Sequence, residues 1–230
     1  MNGLKMAAIY GLKPHDAGAC GPKEKKTIVL LNYLREIVAD EKEIREILSQ
    51  FVRAYAYYQL IAKSNAIADP FNDKVVEAYW LGNSLLNKVK IADLRNMLIN
   101  QMHTLNEKLT DKAIINMVAG IPSRALPHHS FQVIFQLGNT NESLDLCLVG
   151  WGKVKEVDKK LLVEGWSIAH GKGLSIGNPM EKIIAWDESL LPEIKVGDWI
   201  SFHWNFACQI LNKAQLENLQ KYTKKTLAIF

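Results

Sequence analysis

Two residues set the chemical question in this chain. Cys147 opens the stretch Cys147-Leu148-Val149-Gly150-Trp151-Gly152-Lys153-Val154, and His203 lies within Gly197-Asp198-Trp199-Ile200-Ser201-Phe202-His203-Trp204-Asn205-Phe206-Ala207. Each stretch reads as strand-like with one metal-capable side chain. A soft thiolate and an imidazole on neighbouring strands can hold one transition metal ion. Either residue alone is more often structural, the thiol as a small buried hydrophobe and the imidazole as a hydrogen-bonded ring. A second set of candidates comes from His15 and Cys20, in a segment punctuated by Pro14, Gly18, Gly21 and Pro22, and from His128 and His129, just after Pro127. His15 and Cys20 have the types of a ligand pair, or of a nucleophile and its base. Adjacent side chains on an extended chain point to opposite faces, so His128 and His129 serve one site only if the backbone turns there.

The two principal stretches resemble the HypC/HupF family of nickel-iron hydrogenase maturation chaperones. That family begins approximately Met-Cys-Leu-Ala-Ile-Pro-Gly-Lys-Val, and Cys147, Leu148, Gly152, Lys153 and Val154 match it without a gap. Its second motif reads approximately Gly-Asp-Tyr-Val-Leu-Val-His-Ala-Gly-Phe-Ala, and Gly197, Asp198, His203, Phe206 and Ala207 match that, also without a gap. The resemblance covers roughly the last 85 to 90 residues, the scale of one small domain. It implies a small β-barrel with a terminal helix. It also implies iron held by Cys147 as thiolate and His203 as its partner, with cyanide and carbon monoxide ligands added before delivery. The partners it implies are the hydrogenase large subunit or other maturation proteins. Cys147 is internal here, whereas the family's Cys is nearly N-terminal, and Trp151 and Trp204 stand where the family has a Pro and a small residue.

Positioning these residues requires two kinds of structure. Residues 1–22 read as a short apolar piece followed by a loop, given their helix breakers. From Thr27 the spacing turns helical through Ile28, Leu31, Leu34 and Val38. Asp40 with Glu43 starts a second helix expected to run through Ile44, Ile47, Leu48, Phe51, Tyr55, Tyr58 and Ile61. Further helices are expected over 73–81, 91–105 and 111–119, the last capped by Thr110 and ended by Gly120. Glu77, Tyr79, Trp80 and Asn83 are polar or amphipathic groups near a helix end that suit a pocket wall, although Trp80 equally suits a core and Asn83 a cap. Strands are expected over 131–137, 144–149, 152–157, 161–166, 182–186 and 198–204. The turns fall at Asn139-Thr140-Asn141, Asp158-Lys159, Gly171 to Gly173 and Gly177-Asn178-Pro179. Asn212 with Gln215 caps a final helix. The fold class is therefore α+β: a helical domain over residues 1–125, with its N-terminal loop, then over 126–230 a small antiparallel β-barrel of oligonucleotide-binding type with a C-terminal helix.

Composition narrows the function. With 230 residues and 48% hydrophobic content the chain can build a sizeable core. No apolar run reaches the roughly 18 residues a membrane span needs, and the N-terminus lacks the basic region, apolar core and cleavage site expected of a signal peptide. Three cysteines without regular spacing point to the reducing cytoplasm rather than to a disulfide framework. A net charge of +4 spread over separate lysine groups does not make a nucleic-acid track. No phosphate-cradling glycine loop or dinucleotide fingerprint is present, so no nucleotide cofactor is expected. The expected function is metallocentre assembly with iron on Cys147 and His203. The alternative is an enzyme that makes or modifies an iron ligand at a Cys/His site between the domains, and a second alternative is a generic β-barrel binding module.

Overall fold

The computed structural model describes residues 1–37, 40–105, 110–138, 143–170 and 173–230. Val38, the turn Asn139-Thr140-Asn141 and Gly171 of the 171–173 turn lie outside the described residues. The chain is α+β, and its first element corrects the expected N-terminal loop. Helix α1 (Gly3–Asp16) starts at Asn2, whose side chain accepts from the Lys5 N–H, and it runs through Pro14 in its last turn. Leu4, Met6, Ala7, Ala8, Ile9, Tyr10 and Leu12 are all buried. A helix apolar on every side shows no amphipathic stripe and belongs at the centre of a fold. This one packs against the helical layer and the sheet alike.

Around it stand α2 (Thr27–Leu34), α3 (Glu41–Ser49), α4 (Val52–Ser64), α5 (Asp73–Trp80), α6 (Ile91–Leu105) and α7 (Asp111–Ala119). Asp40 caps α3 by accepting from the Lys42 and Glu43 amides, and Thr110 caps α7 by accepting from Ala113 N–H. The helix expected to run unbroken from Glu41 past Tyr58 is two helices. The break falls at Gln50 and Phe51, where Phe51 takes a non-helical ψ of 64°. That bend turns Phe51 inward and brings Arg53 to the rim of the cavity described below.

Two expected strands are helical. Residues 131–137 belong to α8 (His129–Leu137), and 144–147 form the short α9 (Leu144–Cys147). Short apolar runs do not distinguish a strand from a buried helical turn by period alone. The N-cap decides for α8, because the His128 side chain accepts from Ser130 N–H and opens a helix at that point.

The sheet comprises β1 (Gly150–Val157), β2 (Leu161–His170), β3 (Leu174–Ile184), β4 (Trp199–His203) and β5 (Phe206–Ile210), followed by α10 (Lys213–Leu227). All its ladders are antiparallel, in the order β3-β2-β1-β4-β5. A single parallel bridge, Ala185 to Phe206, links the two ends. This is an open five-stranded sheet, which corrects the expected barrel. Gly152 of the first motif has a packing reason: a Cβ there would lie 2.4 Å from a Val163 methyl and 2.7 Å from the Glu164 carbonyl oxygen across the β1–β2 pair. The Asn212–Gln215 capping box of α10 is present.

Strand alternation sorts the side chains by face. Trp199, Ser201 and His203 point toward the helices, while Ile200 and Phe202 join Val154, Leu161, Val163 and Ile184 in a smaller cluster. The main core holds α1 together with Phe131, Val149, Trp151, Phe206, Cys208, Leu219 and Tyr222, so one core crosses the 125/126 division. Tyr10 and Ser201 hydroxyls share a buried hydrogen bond of 2.6 Å across the same seam. No helix among the described residues is long and apolar enough to cross a membrane.

Candidate functional site

A cavity of about 450 Å³ opens where the end of α1, the segment 18–25, the α3–α4 break, α5, α8 and the β4–β5 turn meet. Five of the six residues singled out from the sequence line it: His15, Cys20, His129, Cys147 and His203. His128 does not. Tyr79 and Trp80 also line it, whereas Glu77 and Asn83 do not. Asn83 instead accepts from Leu85 N–H, donates to the Lys74 carbonyl, and with Gln215 engages the Glu77 carboxylate.

His203 arrives through a two-residue hairpin turn, Trp204 (φ 54°) and Asn205 (φ 51°), both in the left-handed region. Such a turn matches strand twist but usually draws on Gly or Asn, so Trp204 carries local strain on the cavity wall. The His203 ring lies between two carbonyls, with Nδ1 2.7 Å from Tyr10 O and Nε2 2.9 Å from Cys147 O. Burial holds its pKa down, to about 4, against the smaller upward pull of those carbonyls. The two influences conflict, because two acceptors favour an imidazolium and burial opposes it. Burial is the larger, so the ring is neutral near pH 7 and has one N–H for two oxygens. Assigning that proton to Nδ1, for the shorter bond, leaves the Nε2 lone pair facing the Cys147 carbonyl.

Cys147 ends α9 and is half-buried. Burial raises its thiol pKa, with a smaller rise from the charge of Cys20. Cys20 itself is exposed; its pKa is raised by desolvation and lowered by charge and hydrogen bonding from Arg53. His15 does not serve Cys20 as a base. Its Nε2 accepts from Lys26 N–H (2.9 Å), so its Nδ1 carries the proton and donates to the Cys20 carbonyl oxygen (3.1 Å). Both ring nitrogens are spent closing the loop that presents Cys20. Gly21 beside it has φ 94°, and a Cβ there would stand 2.7 Å from Phe51 and 2.9 Å from His15 Nδ1. Glycine is what that close approach requires.

The two adjacent histidines diverge at the α8 N-terminus. His128 faces Ser130, with Nδ1 2.7 Å from its Oγ, and stacks near Tyr222. Burial pushes its pKa down to about 3. His129 is 4% exposed, packs on Trp80 at 4.4 Å between ring centroids, and meets His203 edge-on at 5.0 Å. Burial, then the charges of His203 and His128, hold its pKa well below the usual range. Its Nδ1 is buried without a hydrogen-bond partner. The neighbouring wall is fixed: Trp80 Nε1 donates to Tyr58 Oη (2.7 Å), and Tyr79 Oη donates to Gln132 Oε1 (2.6 Å).

Sequence reasoning missed Arg53 and Gln132. Gln132 sits in a segment read as a strand, and Arg53 in one read as mid-helix, so neither could be assigned to a wall. Among the described residues no group of three or more His, Cys, Asp or Glu side chains has the geometry of a metal site. The cavity can hold a small ligand against an aromatic wall, with thiols and neutral imidazoles around it.

No curated protein matches the chain, and no solved structure does. One family model matches residues 1–230, and on that match the chain belongs to the "Family of unknown function (DUF6390)".

Proposed function

We propose that this protein takes part in metallocentre assembly, holding iron as cargo at Cys147 and His203, in keeping with the resemblance to the HypC/HupF hydrogenase maturation chaperones. One observation carries the reading: Cys147 and His203, 56 residues apart, meet at one cavity with His203 Nε2 against the Cys147 backbone. The donor chemistry fits. An imidazole whose Nδ1–H is tied to a carbonyl presents its other nitrogen to a metal, and a half-buried thiol becomes a soft ligand once deprotonated. A neutral His203 turns its Nε2 lone pair on a carbonyl oxygen, and that contact is relieved when Nε2 takes a cation and Cys147 shifts. Two protein ligands leave coordination positions open for strong-field ligands such as cyanide and carbon monoxide. The proposed partners are the hydrogenase large subunit or other maturation proteins, and the proposed setting is the cytoplasm, where three free thiols persist.

A second reading, an enzyme that makes or modifies an iron ligand, is favoured by the size of the cavity. At about 450 Å³ it falls in the range of small-molecule sites. Anaerobic purification, iron analysis and infrared spectroscopy in the cyanide and carbonyl stretching region test the first reading. Iron with those bands, lost in Cys147→Ala, is the expected result. Iron-free protein that takes up no ferrous iron under anaerobic conditions overturns it.

A further inference from the structure

The charge of the cavity mouth points beyond iron. Three cations line it, Lys23, Lys25 and Arg53, and no Asp or Glu is among the described lining residues. Glu24, between the two lysines in sequence, pairs with Lys26 at 3.1 Å. Among the described residues Lys23, Lys25 and Arg53 have no carboxylate partner. Clustered cations over low-dielectric walls concentrate anions at the opening.

Deeper in, the walls change character. Phe51, Tyr58, Tyr79 and Trp80 form an aromatic side, with the Tyr58 and Tyr79 hydroxyls already committed to Trp80 and Gln132. His129 lies against Trp80, and its buried Nδ1 has no partner. The arrangement is an apolar, aromatic chamber with a cationic entrance.

We infer that the cavity binds a small organic anion, an aromatic carboxylate in class, with its ring against Trp80 and Phe51 and its carboxylate at Arg53. The guanidinium matches a planar carboxylate in two-point geometry, which a lysine cannot do. Cys20, beside Arg53, stands at the same entrance. This inference does not depend on iron and is tested on metal-free protein.

The probes are 2-naphthoate and its uncharged amide, 2-naphthamide, titrated into the full chain while following its tryptophan fluorescence, to which Trp80 and Trp204 on the cavity wall contribute. The carboxylate is expected to bind saturably and more tightly than the amide. Arg53 is exposed, so Arg53→Gln should leave the fold intact by circular dichroism. It should weaken naphthoate roughly three- to tenfold while leaving naphthamide unchanged. Alkylating Cys20 with N-ethylmaleimide should block both compounds by filling the entrance. Equal affinity for acid and amide, indifference to Arg53→Gln, binding that survives alkylation, or no saturable binding of either compound would each overturn the inference.

Discussion

Nε2 of His203 stands 2.9 Å from the carbonyl oxygen of Cys147, at the end of α9, while Nδ1 on the other side of the ring donates to the Tyr10 carbonyl of α1. The imidazole is therefore part of the frame as well as part of the proposed site. Replacing it with Ala removes a buried ring and strips the Tyr10 carbonyl of its donor, at a cost of about 2–4 kcal/mol. Cys147→Ala removes one half-buried sulfur and should cost about 1 kcal/mol. Urea unfolding of the metal-free proteins measures both. If the two residues hold one iron, each single change removes most of the bound metal and the double change adds little, since ligands of one centre are not additive. Iron contents that fall independently in the two variants count against a shared centre.

Histidine burial sets the acid sensitivity of the fold. His203 and His128 have folded pKa values pushed down to about 4 and about 3, and His129 lies well below its usual value, each chiefly through desolvation. Between these values and the unfolded value near 6.5 the unfolded chain binds more protons than the folded one. Stability is therefore full above about pH 6.5 and is lost as pH falls from there toward 4, at up to about 1.4 kcal/mol per pH unit for each ring. His128→Asn keeps an acceptor for the Ser130 amide and removes one titrating ring. Urea midpoints measured from pH 7.5 to 4.5 should fall less steeply in that variant. An unchanged slope would mean that His128 is not buried as described.

Thiol chemistry separates the three cysteines. Cys20 is exposed, Cys147 half-buried and Cys208 fully buried, with the Cys208 thiol pKa raised strongly by desolvation. Iodoacetamide under native conditions should label them in that order, read by peptide mass spectrometry. Arg53 lowers the Cys20 pKa, so Arg53→Gln should slow Cys20 labelling near pH 7.5 without affecting Cys147. Labelling of Cys147 ahead of Cys20 would show that the 18–25 segment shields its own thiol.

Asp40, Thr110 and Asn212 mark their helix starts because a cap is a local device, legible from a few residues. Helix α1 looks in the sequence like a short apolar piece and a loop, because its burial on nearly every face leaves no period to detect and Pro14 resembles a terminator. The runs at 131–137 and 144–149 were too short for their period to decide. Five of the six candidate residues proved to line one cavity, since unusual side-chain types are visible without a fold. Their roles were not visible. That His15 would serve the Cys20 loop, that His129 and not His128 would line the cavity, and that Arg53 would stand at its mouth all depend on packing between distant segments.

The seam between the helices and the sheet yields the final test. Residues 126–230 contribute Val149, Trp151, Phe206, Cys208, Leu219 and Tyr222 to a core whose other side is α1 and its neighbours. Cut at 125/126, the C-terminal fragment would expose that face and lose the Tyr10–Ser201 hydrogen bond. Burial of large side chains contributes about 1.5–3 kcal/mol each, so losing several exceeds the stability of a typical domain of this size. The fragment is expected to be insoluble, or to bind hydrophobic dye and unfold without a sharp transition. The full chain should unfold in one step by Trp fluorescence and by circular dichroism. Within the full chain, Tyr10→Phe removes only the hydroxyl bond to Ser201 and should cost about 1 kcal/mol. A fragment that is soluble and melts cooperatively would mean that the smaller cluster around Val154, Ile200 and Phe202 sustains the sheet without α1.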